Sequence, residues 1–337
     1  AMAKGGSKKV KVALVGAGGM ANGVHYPSVT SFEDVQIVGL CDLDQEKLKA
    51  TAEKFRIKET FTNYQAMLEQ TKPDAVYVLM PPHHLFDVAM DVMERGHHLF
   101  IEKPPAVTTH QAIALARKAK ERKVITAVGW QRRFHPLTNT VWQKVRKAGE
   151  LNQVVVSFYK NAVPSQTHPY YRGAIDILHC DAIHAVDSLR YYAGLADVVS
   201  ISSNVRKLDA WYPCVFTAVV QFSNGVEGVL LTNWRSGRRI FKFEFHGANG
   251  MGLVDIDGQG AFYTDNKVEP AWQSDHVAEA GSDQTHIHQG FCQESRAFID
   301  AVKKGKPPHH SLEDAYKSMD LVDKIYGASM MREETHV

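Results

Sequence analysis

The apolar stretch Val12-Ala13-Leu14-Val15 runs directly into Gly16-Ala17-Gly18-Gly19-Met20-Ala21. A strand that ends in G-x-G-x-x-A reads as the first βα turn of a dinucleotide-binding fold, and each position has a steric reason. Gly16 permits the tight turn, and Gly18 lets a pyrophosphate approach the backbone. The small Ala21 lets the next helix pack closely on the strand, with its N-terminus toward the phosphates. Gly19 and Met20 complete the loop. A second strand, Val35 to Cys41, ends in Asp42. That acid lies about 20 residues beyond the loop, where a carboxylate accepts the adenosine ribose hydroxyls. Strand, turn, helix and acid together are far more specific than the glycines alone.

This turn opens an alternation of strands and helices. Residues 44–55 have helical spacing, and Tyr64 to Leu68 suggests a short helix. Asp74 to Leu79 is a continuous apolar strand of the kind that parallel sheets bury on both faces. A helix at 84–95 stops at Gly96, and His98 to Ile101 is the next strand, ending at Glu102-Lys103-Pro104-Pro105. Thr109 is the expected cap of a helix at 110–122, and Val124 to Val128 is a further strand. The rhythm predicts an α/β Rossmann domain built on a doubly wound parallel sheet over residues 10–131.

Beyond residue 150 the pattern changes. One long helix is expected at 174–193. Strand-like runs then follow at 198–206, 215–222, 226–233, 240–246, 251–256 and 260–264, with Asn224-Gly225 as a hairpin turn. Helices at 286–304 and 311–327 close the chain. Residues 132–337 therefore read as an α+β substrate-binding and oligomerisation domain: an open, mainly antiparallel sheet, one main helix against it, and the C-terminal helix free to pack back on the first domain. Ala1 to Lys9 reads as a tag or flexible tail.

A chain of 337 residues suits two domains. Its net charge of +2 gives no electrostatic footprint for nucleic acid or an anionic membrane. No apolar run approaches the roughly 20 residues that span a bilayer. Nothing at the N-terminus has the apolar core of a secretory signal. The four cysteines form no C-x-x-C pair, which favours a reduced, cytoplasmic setting.

Glu102-Lys103-Pro104, taken with the glycine turn, Asp42, Met80-Pro81-Pro82-His83-His84 and Asp181-Ala182-Ile183-His184-Ala185-Val186-Asp187, makes the chain resemble the Gfo/Idh/MocA oxidoreductases over nearly its whole length. The resemblance implies an N-terminal domain that binds NAD or NADP and a C-terminal sheet that shapes a sugar pocket and forms a dimer or tetramer interface. It implies that Pro81 and His83 line the stretch from adenosine to nicotinamide. Glu102 and Lys103 lie beside the nicotinamide and substrate, with Gln131 and Arg132 near the nicotinamide. Family sugar dehydrogenases commonly carry an Asp four residues before the catalytic His. Here that position is Cys180, and the carboxylate is the neighbouring Asp181, about 100° away on a helix.

Moving a hydride from a carbinol carbon leaves a hydroxyl proton that a nearby group must accept. His184 has the right chemistry, and Lys103 serves either as acceptor or as a fixed donor to the developing alkoxide. Asp181 is the expected helper, and His179 or Tyr170 the replacement should His184 be a core histidine paired to Asp187 or Asp181. Cys180 and His184 share a helical face, but two such residues are not a metal site, and none is expected. The segment 164–173 offers His168, Tyr170 and Tyr171 as donors and aromatic faces for a carbohydrate ring. His179 and Cys180 flank the same region. The basic stretch Trp234 to Arg239 reads as a hairpin turn from which Arg235 supplies a fork for an anionic group.

The leading expectation is an NAD-dependent dehydrogenase of a sugar, polyol or sugar derivative, gripped between the domains, in a cytoplasmic homodimer or homotetramer. Asp42 and Asp44 repel a 2′-phosphate and favour NAD over NADP. A redox-neutral, NAD-dependent glycoside-cleaving enzyme is the alternative, and a cofactor-binding sensor without turnover the third reading.

Overall fold

The computed structural model describes residues 9–161 and 175–330. These fall into two compact units. One comprises the chain to Gly129 with 285–287 and 291–316, and the other 130–284, 288–290 and the chain from Lys317 onward.

The first unit begins with β1 (Val10–Val15), the glycine turn, a π turn (Ala21–His25) and α1 (Tyr26–Thr30). β2 (Val35–Cys41), α2 (Gln45–Phe55), β3 (Thr60–Phe61), α3 (Tyr64–Thr71), β4 (Ala75–Val78), α4 (Pro82–Glu94), β5 (His98–Ile101), α5 (Thr109–Arg122) and β6 (Thr126–Val128) follow. The strands are all parallel, in the order β3-β2-β1-β4-β5-β6, the doubly wound topology expected from the alternation. The apolar runs of β4 and β5 are buried because helices cover both faces of such a sheet. Asp44 and Asn63 cap α2 and α3 by accepting the Lys47 and Ala66 amides. The cap of α5 is Thr108, not Thr109. Thr108 has extended backbone and accepts the Gln111 amide, which places Thr109 already inside the helix.

In the second unit a 3₁₀ turn (Gln131–Phe134) leads into α6 (Pro136–Ala148), to which the sequence reading gave no element. Leu137, Val141 and Val145 face inward at helical spacing. The unusual N-cap, His135, accepts the Thr138 amide through Nδ1. β7 (Leu151–Asn161) follows, and then α7 (Ile177–Cys180) and α8 (Ile183–Tyr192) in place of one long helix. The break falls at Asp181, which ends α7 and whose carbonyl then accepts the His184 amide. β8 (Val198–Arg206), β9 (Val215–Phe222), β10 (Glu227–Asn233), β11 (Arg235–Gly247), β12 (Gly250–Asp255), β13 (Gln259–Thr264), β14 (Trp272–Asp275) and α9 (His276–Ala280) complete it.

The sheet order is β14-β13-β12-β11-β7-β10-β9-β8, antiparallel except between β7 and β10. β10 and β11 flank β7, and β11 already begins at Arg235, so the chain crosses β7 at Trp234 and the basic stretch is the start of a strand and not a hairpin turn. More than one helix covers the sheet: α6 packs on β11, β12 and β13, α8 on β7 and β10, and the last helix of the chain reaches β8 and β9 through Ile325 and Tyr326. Glycines set the approach of α6. A Cβ at Gly252 would stand 2.4 Å from Val141, and one at Gly260 would stand 2.8 Å from Leu137. Beneath α8, Phe158 stacks on Phe241, and Tyr192 meets Phe243 and Phe245 edge-on.

The expected helix at 286–304 is divided into α10 (Thr285–His288) and α11 (Phe291–Lys304). Gly290 turns the chain between them at φ +93, where a Cβ would lie 2.5 Å from the Gln131 carbonyl oxygen. α11 returns to the first unit, where Phe298 and Ile299 join the core of Leu14, Tyr77 and Phe100. Each such buried side chain contributes about 1.5–3 kcal/mol. α12 (Leu312–Met330) runs from the first unit into the second at Tyr316/Lys317. Among the described residues no helix is long and apolar enough to cross a membrane.

Candidate active site

In the first unit, the loops that follow β1, β4 and β5 emerge at the C-terminal edge of the sheet, because Val15, Val78 and Ile101 are in register. The chain reverses its order between β1 and β4, and open α/β sheets bind ligands in such a crevice.

The glycine turn has two kinds of glycine. Gly16, at φ +100, donates its amide to the Cys41 carbonyl, and a Cβ there would lie 2.2 Å from the Leu79 carbonyl oxygen. The fold therefore demands glycine. At Gly18 and Gly19 a Cβ would meet nothing within 4 Å. Packing leaves those positions free, so the missing side chains keep open a surface that a phosphate can approach. Met20 is half exposed beside them.

Asp42 stands at the end of β2 with Oδ2 accepting the Ala17 amide at 2.6 Å and Oδ1 the Asp44 amide at 2.8 Å. Asn22, which the sequence reading passed over, braces the loop. Its Nδ2 donates to the Ala17 and Gly18 carbonyls, and its side chain also pairs with Thr51. Only its place four residues after Gly18 signals this. An open glycine cradle and an adjacent acid fit a dinucleotide.

Pro81 precedes α4 and His83 lies exposed in its first turn, with its ring 4.0 Å from that of His84. After β5, Glu102 Oε2 accepts the Lys103 amide at 2.9 Å, and Oε1 lies 2.5 Å from His25 Nε2. Burial pushes the Glu102 carboxyl up. The His25 hydrogen bond and the charges of His25 and Lys103 outweigh it, and the net direction is downward.

In the second unit, Gln131 and Arg132 occupy the 3₁₀ turn, Gln131 buried. Arg132 donates to Gln289 and lies over the Phe241 ring. Burial, with Arg239 nearby, pushes its guanidinium down to about 10. Asp181 and His184 both lie at the lower limit of exposure, 9% and 7%. Asp181 pairs with Lys160, near the end of β7, whose ammonium also faces the Phe158 and Trp234 rings. His184 meets Trp130 edge-on. Lys160, Trp130 and Trp234 were not singled out from sequence, since only the pairing of distant segments brings them here.

Asp187 is bound by the fully buried Arg133 and by Ser318, which accounts for a carboxylate that the sequence reading offered to His184. His179 has both ring nitrogens on carboxylates, Nδ1 on Asp176 and Nε2 on Asp323. Cys180 is buried. Arg235 gives its fork to Asp209 at 2.8 and 2.7 Å. His168, Tyr170 and Tyr171 lie outside the described residues. Among the described residues no group of three or more His, Cys, Asp or Glu side chains is placed to hold a metal ion.

Residues 10–130 match the family model described as oxidoreductase family, NAD-binding Rossmann fold. The chain is 26% identical to D-glucoside 3-dehydrogenase of Escherichia coli over 95% of both chains. It is also 26% identical to the NAD-dependent scyllo-inositol 2-dehydrogenase of Bacillus subtilis, over 89% of this chain and 88% of that one. The fold is that of a dehydrogenase from Chromobacterium violaceum, with a TM-score of 0.85 at 20% identity and 96% of each chain covered. The glycine cradle, Asp42 and the Glu102-Lys103-Pro104 strand end all lie within residues 10–130, the segment that matches the Gfo/Idh/MocA model of NAD-binding oxidoreductases.

Proposed function

We propose that this protein is an NAD-dependent dehydrogenase that oxidises a hydroxyl of a sugar, polyol or sugar derivative. The observation that carries the reading is the shared strand edge of the first unit. The open glycines after β1, Asp42 after β2 and the Glu102–Lys103 pair after β5 stand at the C-terminal ends of strands of one parallel sheet. The named activities of the two relatives support the substrate class.

Gly18 and Gly19 would hold the pyrophosphate of NAD and Asp42 its ribose, while Pro81, His83, Glu102 and Gln131 would line the rest of it. NAD, when bound, supplies the acceptor for the hydride leaving the carbinol carbon. The hydroxyl proton passes to a side chain of this protein. Lys103 and His184 are the proposed groups, with Asp181, held by Lys160, orienting its neighbour. Arg132 is proposed to hold substrate hydroxyls.

Homodimers or homotetramers form part of the proposal. On β7, β9 and β10 the face opposite α6 and α8 presents Val155, Val219, Val229 and Leu231, each half-buried in the single chain. A second copy would cover that apolar row. The four cysteines form no disulfide, which supports a cytoplasmic setting.

The test mixes purified protein, NAD and a panel of D-glucose, methyl β-D-glucoside, myo-inositol and D-xylose, and follows reduced nicotinamide. Net reduction with at least one probe is expected. Cleavage of the glucoside without net reduction would favour redox-neutral chemistry instead. Light scattering showing a monomer at micromolar concentration would overturn the oligomer.

A further inference from the structure

The π turn that opens the first helix has a geometric effect. Successive residues of an α-helix diverge by about 100°, so two adjacent side chains seldom both face a core. Here His25 and Tyr26 are both fully buried. The wider turn at Ala21–His25 brings both inward, and turns of this kind recur at functional sites. The Tyr26 hydroxyl donates to the Gly16 carbonyl. The His25 ring is held edge-on between Phe100 and Phe291, with centroids 5.4 and 5.5 Å away.

So clamped, His25 aims Nε2 at Glu102 Oε1, 2.5 Å distant, while Nδ1 is buried with no hydrogen-bond partner among the described residues. An imidazole that only filled space would be replaced at gain by an apolar side chain, since a buried polar atom without a partner is destabilising. The ring directs its one hydrogen bond at Glu102. The opposite oxygen, Oε2, accepts the Lys103 amide. It also stands 3.1 Å from where a Cβ of Gly129 would be, so backbone closes that side. Glu102 is thus fixed from three directions, and the backbone that carries the Lys103 side chain is fixed with it.

The geometry points to His25 as a positioning residue for the reaction: through Glu102 it sets the strand end from which Lys103 reaches the reacting hydroxyl. This rests on the role given to Lys103 above. His25 itself is fully buried and acts through Glu102.

The experiment compares wild type with His25→Ala, His25→Gln, His25→Asn and Lys103→Met, using NAD and the four probes named above. NAD affinity and melting temperature are measured alongside. Glutamine places an N–H where Nε2 stands, whereas asparagine is too short to reach Glu102. The expected result is a kcat lowered between about 10- and 100-fold in His25→Ala and His25→Asn, with NAD affinity within about threefold, and recovery in His25→Gln. A His25→Ala enzyme with kcat near wild type, beside an inactive Lys103→Met, would overturn the positioning role alone. Equal losses in the two amide variants, following the melting temperature, would assign His25 to packing and overturn it too. Turnover retained in Lys103→Met, or wild type inactive on every probe, would sink the underlying reading and this inference with it.

Discussion

The carboxylate of Asp42 lies against the backbone of the glycine turn, its Oδ2 accepting the Ala17 amide at 2.6 Å. The acid at the end of β2 and the turn after β1 therefore form one unit, and the acid's remaining hydrogen-bonding capacity is available to a ribose. Asp42→Ala should weaken NAD binding by about 10- to 100-fold, as expected for charge-assisted hydrogen bonds. NADP should lose less, because the same change removes a repulsion from its 2′-phosphate. Paired fluorescence titrations check this. A variant that keeps the wild-type ratio would show that Asp42 does not set the preference.

Two glycines of the same turn should respond in opposite ways. Gly16→Ala drives a Cβ into the Leu79 carbonyl at a positive φ, and should destabilise the fold by about 3 kcal/mol or more. Gly18→Ala meets nothing within 4 Å, and should melt like wild type while losing about tenfold or more in NAD affinity. Thermal melts and titrations of the two variants separate folding from binding. A Gly18→Ala protein that binds NAD normally would move the phosphates elsewhere.

Lys103→Met and His184→Ala should each slow turnover by at least about 100-fold with NAD affinity nearly unchanged, the contribution typical of general acid–base groups. Asp181→Asn should cost less, since it keeps a hydrogen-bond acceptor for Lys160. Steady-state kinetics on the best sugar of the panel decide it. Near-normal turnover in His184→Ala would remove His184 from the chemistry.

His179 makes stability depend on pH. Burial lowers its pKa, but the hydrogen bonds and charges of Asp176 and Asp323 outweigh that and hold it above the ordinary histidine value. A folded pKa above the unfolded one gives stability that is full below the unfolded value, about 6.5. That stability is lost as pH rises through the folded value. The melting temperature should therefore fall as pH rises above about 6.5, and His179→Gln should flatten that slope. Equal slopes in the two proteins would mean that the imidazolium is not what joins α7 to α12.

Local signals were legible where chemistry is local. The glycine turn, Asp42 and the Glu102-Lys103-Pro104 strand end follow from residue types a few positions apart. So do the parallel sheet of the first unit and most strands of the second. The misses lie where a contact far along the chain overrides local pattern. The helical spacing of 174–193 continues through Asp181, yet the chain breaks there. The apolar positions of α6 were present, but a histidine cap concealed its start and the glycines beneath it lie more than a hundred residues away. Trp234 to Arg239 looked like a turn between neighbours because alternation cannot reveal that β7 lies between β10 and β11.

By itself, then, the sequence determined the kind of protein: a glycine turn of the dinucleotide-binding kind, the acid that follows the second strand, a parallel sheet and a second, mainly antiparallel domain. Period and turn chemistry are properties of short segments, and short segments carry them intact. The tertiary structure alone decided which charged groups meet. Lys160 with Asp181, Arg133 with Asp187 and His179 with Asp323 are pairings across elements. His25 reaches Glu102 across 77 positions of the chain. Such pairs depend on strand register, on an added residue in one helical turn and on the burial that makes each hydrogen bond strong, and none of these is written in the spacing of the residues themselves.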